Sequence, residues 1–251
     1  MRLIINADDF GYSRSINEGI IYAHKKGLIS STSIMVNMPF AKHAINLWKG
    51  STGGGYYRLG LGVHLNITKG PAVLKERSTL TDEDNIFTPK DFENEEFSYS
   101  EAYNEMKAQI EETLAYADVD HLNYHDPLLT KNANLVKVVV DLAKEYNLPL
   151  RNDSRELEHK AKEAGVKIVA KFKDSFYGDK ARAQTILDII ESSDDSIMEI
   201  MTHVGFIDKD TKKVTSYLDR EQEIEALKEA KELGYYDKFE LISFTELRNE
   251  L

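Results

Sequence analysis

Residues 3–20, LIINADDFGYSRSINEGI, carry the pattern from which the rest of the chain can be read. The stretch opens on apolar, β-favouring residues, as a strand buried on both faces does. It then places two carboxylates side by side, Asp8 and Asp9, shortly before Gly11. Beyond the turn, Ile16, Ile20 and Ala23 recur at spacings of four and three, which is one face of a helix. Ser15 and Glu18 fit a capping box at its start, and Gly27 fits a stop. Strand, polar strand end and helix form the repeating unit of a parallel α/β fold, whose chemistry gathers at the carboxyl ends of the strands. Adjacent like charges there repel unless a cation holds one of them, or unless a helix N-terminus favours them as caps. Both readings stay open on these residues alone.

The alternation continues along the chain. Strand-like runs are RLIIN (2–6), TSIMVNM (32–38), RLGLGVHLNI (58–67), VDHLNYH (119–125), LPLRN (148–152), VKIVAKF (166–172), SIMEIMTHV (196–204) and FELISF (239–244). Helical patterns lie between most of them, at 39–50, 98–117, 132–147, 180–193 and 220–234. With 251 residues the chain has the usual size of a (β/α) barrel, about 250 residues. The expectation is an α/β fold, a distorted (β/α) barrel in a single domain over 1–251. An open doubly wound sheet usually has a glycine-rich first turn, and NADDFGYS is not one. Residues 66–98 show no sustained period and much charge, and read as a long irregular insertion.

A net charge of −11 leaves no basic stripe for a phosphate backbone, so no nucleic-acid partner is expected. The absence of cysteine excludes disulfides, thiolate metal sites and a cysteine nucleophile. No apolar run approaches the roughly 20 residues of a membrane span, so no membrane association is expected. Met1 and Arg2 lead straight into the first strand with no room for a leader, from which a cytoplasmic location is expected. A homodimer is the default expectation for assembly.

Several strands end in acid or imidazole. Besides Asp8 and Asp9, His64 and Asn66 share a face of the third run, and His121, Asn123 and His125 share a face of the fourth. His203 ends the seventh run just before Gly205, and Arg151 lies at the end of LPLRN, placed to orient Asp8 or to form a simple salt bridge. One such histidine is usually structural, and His24, His43 and His159 in charge-rich helical segments read as solvated surface. Two imidazoles and a carboxylate converging with positions to spare suit one catalytic divalent cation.

The segments NADDFGYSRSINEGI, GLISSTSIMVNMP, LGVHLNIT and DHLNYH resemble the YdjC-like carbohydrate deacetylases, the chitooligosaccharide deacetylase group, over nearly the whole chain. The resemblance implies a distorted (β/α) barrel with one divalent metal ion, zinc or magnesium, held by Asp9, His64 and His125. It implies Asp8 as general base and His203 as general acid, and a small N-acetylated sugar as substrate: a chitooligosaccharide or related disaccharide losing an N-acetyl group. Val204 stands where the family usually has proline, Asn123 where aspartate is common, and Asp126 and Pro127 where further histidines are common. A metal-dependent phosphoesterase and a non-catalytic sugar-binding protein are the rival readings.

Overall fold

The computed structural model describes residues 1–51, 58–89, 91–94, 96–126, 130–194 and 196–249. Pro127 lies outside the described residues. The strands are β1 (Arg2–Phe10), β2 (Ser31–Ile34), β3 (Gly60–Leu65), β4 (Leu122–Tyr124), β5 (Lys171–Lys173), β6 (Ile197–Thr202) and β7 (Glu240–Leu241). They form one parallel sheet in the order β4-β3-β2-β1-β6-β5, with β7 beside the start of β1. The helices are α1 (Arg14–Lys25), α2 (Ala41–Gly50), α3 (Tyr99–Leu114), α4 (Ala133–Glu145), α5 (Arg155–Ala164), α6 (Ala183–Glu191), α7 (Thr211–Val214), α8 (Arg220–Glu232) and α9 (Phe244–Asn249).

The sheet curls into a half-barrel, and isolated bridges continue the curl where ladders fail. LPLRN, expected as a strand, contributes only Leu150, bridged to Leu122 on one side and Ile168 on the other. Pro149 explains the difference, because it has no N–H to give and offers only its carbonyl, to Leu122 N at 2.9 Å. Ile168 lies in the segment that goes on to β5, so the strand circuit runs round from β4 towards β6.

β1 is the centre of this arrangement, and every residue from Leu3 to Phe10 is buried. On one side of the molecule Ile16, Ile20, Ile45, Ile186 and Leu227 from the flanking helices pack against it. A second cluster joins Val63 and Leu65 of β3 to Met106 and Ile110 of α3 and to Val136 and Val139 of α4. Burying one such side chain is worth about 1.5–3 kcal/mol before conformational entropy is set against it.

Helix α1 begins two residues before the expected capping box. Ser13 is its N-cap, accepting from Ile16 N, while Ser15 points into a hydroxyl contact of 2.5 Å with Thr211. Gly27 does end the turn: at φ +66 its N–H reaches His24 O at 2.7 Å, and Leu28 N closes on Ala23 O. His24 is buried on the inner face of α1, contrary to the solvated placement expected of it; His43 is half-buried and His159 exposed. The 66–98 segment is irregular apart from the bridges Pro71↔Ile86 and Thr81↔Phe87. Carboxylates of α3 take the place of ladder partners there. Glu105 accepts from Val73 N and Leu74 N, and Glu101 from Thr79 N.

Candidate metal centre

The end of β1 is not a regular strand. Its pairing with β2 runs Ala7↔Thr32 and then Phe10↔Ile34, so three steps on one strand oppose two on the other. The extra residue is a β-bulge, and Asp9 takes a left-handed φ of 70° within it. In a regular strand neighbouring side chains point to opposite faces. The bulge brings Asp8 and Asp9 to one cleft, and an aspartate tolerates the left-handed region better than most residues. Gly11 completes the turn at φ +101, where a Cβ would lie 2.9 Å from Met35 O.

Asp8 is surrounded by donors. Arg151 donates to both of its oxygens, at 2.7 and 2.9 Å, and Oδ1 also accepts from Asn6, Asn123 and Ser33 at 2.7, 3.0 and 3.1 Å. Burial alone would raise its pKa, but Arg151 and then His64 hold it well below the usual carboxylate range. Arg151 is itself shared with Glu199, a buried carboxylate in the middle of β6, at 2.6 and 2.9 Å.

Asp9 is held differently. Oδ2 accepts from Arg220 at 2.5 Å, while Oδ1 faces His125 Nδ1 at 3.2 Å and His64 Nε2 at 3.5 Å. Burial works to raise its pKa, and Arg220, His125 and His64 together bring it well below the ordinary value.

His64 shows what this geometry is suited to hold. Its Nδ1 lies 2.8 Å from Asn123 Oδ1, and the Asn123 amide nitrogen is committed to Asp8 and Ser33. The amide oxygen therefore faces the ring, Nδ1 carries a proton, and Nε2 is left to take either a second proton or a cation, buried and, among the described residues, without a hydrogen-bond partner. Nε2 and a carboxylate oxygen thus confront each other at 3.5 Å. Burial lowers the His64 pKa, but Asp8 and Asp9 outweigh it and raise it, which expresses the demand of this spot for positive charge. One ligand atom each from Asp9, His64 and His125 lies within 4.8 Å of the others. Bonds of about 2.0–2.1 Å to a single ion separate neighbouring ligand atoms by roughly 3.0–3.4 Å, so the 3.2 and 3.5 Å gaps fit such an ion. The donor set suits zinc and does not exclude magnesium.

His203 lines the same cleft, a cavity of about 510 Å³ that Asp8, Asp9 and His125 also line. Its N–H donates to Glu223 Oε2 at 2.5 Å, and its ring meets Tyr177 and Tyr217 edge-on at 5.4 and 5.5 Å. Burial pushes the imidazole down to about 4, against the carboxylates of Asp9 and Asp8, and among the described residues Nδ1 has no hydrogen-bond partner. The five residues singled out in the sequence therefore come together.

His121 does not join them, although its spacing put it on a face with Asn123 and His125. β4 begins only at Leu122, and the His121 ring turns to Asp120 at 2.7 Å and stacks on Phe244 at 3.8 Å. Gly62 makes room for it: a Cβ there would lie 2.4 Å from the imidazole. Sequence reasoning missed Arg220, whose position at the start of a charged helix carries no signal. It also missed Glu199, for which a signal existed, a lone acid inside the apolar run IMEIMT.

Residues 2–237 match the family model described as YdjC-like protein. A carbohydrate deacetylase of Clostridium beijerinckii is 33% identical over 253 residues, covering 98% of this chain and all of its own length. A carbohydrate deacetylase 2 of Listeria innocua is 37% identical over 225 residues, covering 83% of this chain and 82% of its own. A solved structure from Enterococcus faecalis, described as that of a candidate cellobiose-phosphate cleavage protein, superposes with a TM-score of 0.87 at 31% identity and 98% coverage of both chains. A structure from Agrobacterium tumefaciens shares the fold alone, at a TM-score of 0.60 and 10% identity over 98% of this chain and 88% of that one. With the family pattern running through β1, β3 and β4, where Asp9, His64 and His125 meet, the chain belongs to the YdjC-like family.

Proposed function

We propose that this protein is a metal-dependent carbohydrate deacetylase that removes N-acetyl groups from amino sugars, with small chitooligosaccharides or related disaccharides as the substrate class. The observation that carries the reading is His64 Nε2, buried and, among the described residues, without a hydrogen-bond partner, grouped with Asp9 and His125 beside a second carboxylate. Relatives named carbohydrate deacetylases support the reaction class.

Asp9, His64 and His125 would hold one divalent cation. Once bound, it would polarise the acetamide carbonyl and lower the pKa of water from about 15.7 towards about 7. Asp8 is ionised when the water attacks, because Arg151 holds its carboxyl below the usual range, and it accepts the proton of that water. Among the described residues its Oδ2 accepts only from Arg151 Nη1, which leaves that oxygen a free lone pair. An amine leaves only when protonated, and His203 is the group in the cleft suited to deliver that proton. Since burial keeps His203 neutral at pH 7, the proton it delivers to the amine is the one Asp8 took from the water, passed on within the cleft, which returns both groups to their starting states.

The test is acetate release from a panel of N-acetylated mono- and disaccharides, with and without chelator, alongside metal analysis. Release that chelation abolishes, at one ion per chain, supports the reading. Two ions per chain with phosphate-ester hydrolysis and no acetate release would replace it with a phosphoesterase. Sugar binding without any turnover would leave a binding protein.

A further inference from the structure

The cleft also contains an aromatic column that the chemistry above does not use. Arg220, which holds Asp9, lies with its guanidinium 5.6 Å from the centre of the Tyr217 ring, and Tyr217 stacks on Tyr177 at 4.1 Å and 15°. The column is fixed from within. The Tyr217 hydroxyl donates to Glu223 at 2.5 Å and accepts from Gly178 N at 3.0 Å, and Gly178 is the residue after Tyr177. Tyr177 ends the column, 44% exposed and lining the cleft. A ring stacked on one side, braced through its neighbour and open to the cleft beside a candidate proton donor has a second face to offer a ligand.

Resting on the deacetylase reading of the same cleft, we infer that the outer face of Tyr177 is the platform on which the substrate's pyranose ring stacks, so that Tyr177 selects cyclic sugars over other acetamides. A pyranose with equatorial hydroxyls presents a face of C–H groups, and their partial positive charge matches the negative face of an aromatic ring. A ring already held in place loses little freedom when the sugar arrives. Its bracing through Tyr217 and Arg220 also ties the platform to Asp9, so a sugar seated on it is aligned with the reacting centre.

The test compares Tyr177→Ala and Tyr177→Phe on two probes, the β-1,4-linked disaccharide of N-acetylglucosamine and the ring-free amide N-acetylethanolamine. For Tyr177→Ala, kcat/KM on the disaccharide should fall about tenfold, mainly through KM, with a smaller loss on the ring-free amide. Tyr177→Phe, which keeps the face, should restore the wild-type value. Equal losses on both probes, no loss in the alanine variant, or failure of phenylalanine to rescue would overturn the platform. Calorimetric binding of the deacetylated disaccharide needs no turnover. Weaker binding by Tyr177→Ala, in a wild type that releases no acetate, would uphold the platform and sink the deacetylase reading.

Discussion

Asp8 and Asp9 are neighbours in the chain, both buried and both held below the usual carboxylate range, yet they sit in opposite company. Asp8 is enclosed by donors: a bidentate guanidinium, two amides and a hydroxyl. Asp9 has one guanidinium on one oxygen and turns the other to two imidazoles. The first environment is neutralised by protein groups alone, whereas the second brings ring nitrogens and a carboxylate together at a spacing that suits an added cation. Burial alone therefore says little about a carboxylate's role; the identity of its partners decides.

The contrast can be broken most severely on the Asp9 side. His64→Ala removes one of the three proposed ligands, so metal retained after dialysis should drop sharply and acetate release should fall by at least about 10³-fold. Unchanged metal content would show that His64 does not ligate. On the other side, Asp8→Asn should leave metal content intact and lower turnover by about 10²–10⁴-fold, because only proton transfer is lost. Activity at the wild-type level would remove Asp8 from that role. The two sides meet at Asn123, whose amide bonds both His64 and Asp8. Asn123→Ala should weaken metal affinity by about 10–100-fold, measured by competition with a chelator, since the ring loses the group that orients it.

The smallest effect concerns pH. Burial pushes Glu223 up to about 8, against the bonds it accepts from Tyr217 and the His203 amide. A carboxyl whose folded pKa lies above its unfolded value stabilises the fold fully below about 4.5, and that contribution is lost as the pH rises through about 8. Glu223→Gln cannot ionise. Its denaturation midpoint should therefore decline less between pH 5 and pH 8 than that of the wild type, and parallel declines would contradict the shift.

The architecture was legible because apolar runs and helical periods alternate clearly. Where the reading failed, a local competitor had won. Pro149 reduced LPLRN to a bridge, and Ser13 capped α1 because Ser15 was drawn to Thr211. That the five proposed site residues come together was legible from acid or imidazole at strand ends. Of the residues around them, Arg151 was legible at the end of LPLRN and does meet Asp8, whereas nothing local in the chain brings Arg220 to Asp9 across 211 positions. Likewise His121 passed for a site residue because its spacing is right, while its actual partner, Phe244, lies near the other end of the sequence. Alternation along a strand reveals which residues could share a face; it does not reveal where pairing begins.

The irregular rung between Ala7 and Phe10 has a practical meaning for anyone reshaping this protein. Deleting one residue there would let the first two strands zip without interruption and would be expected to make the sheet sturdier. It would also swing one of the two acids outward among the helices. On the proposed reading, activity is lodged in a defect of the sheet, and engineering that selects only for a tougher scaffold would tend to repair that defect and silence it.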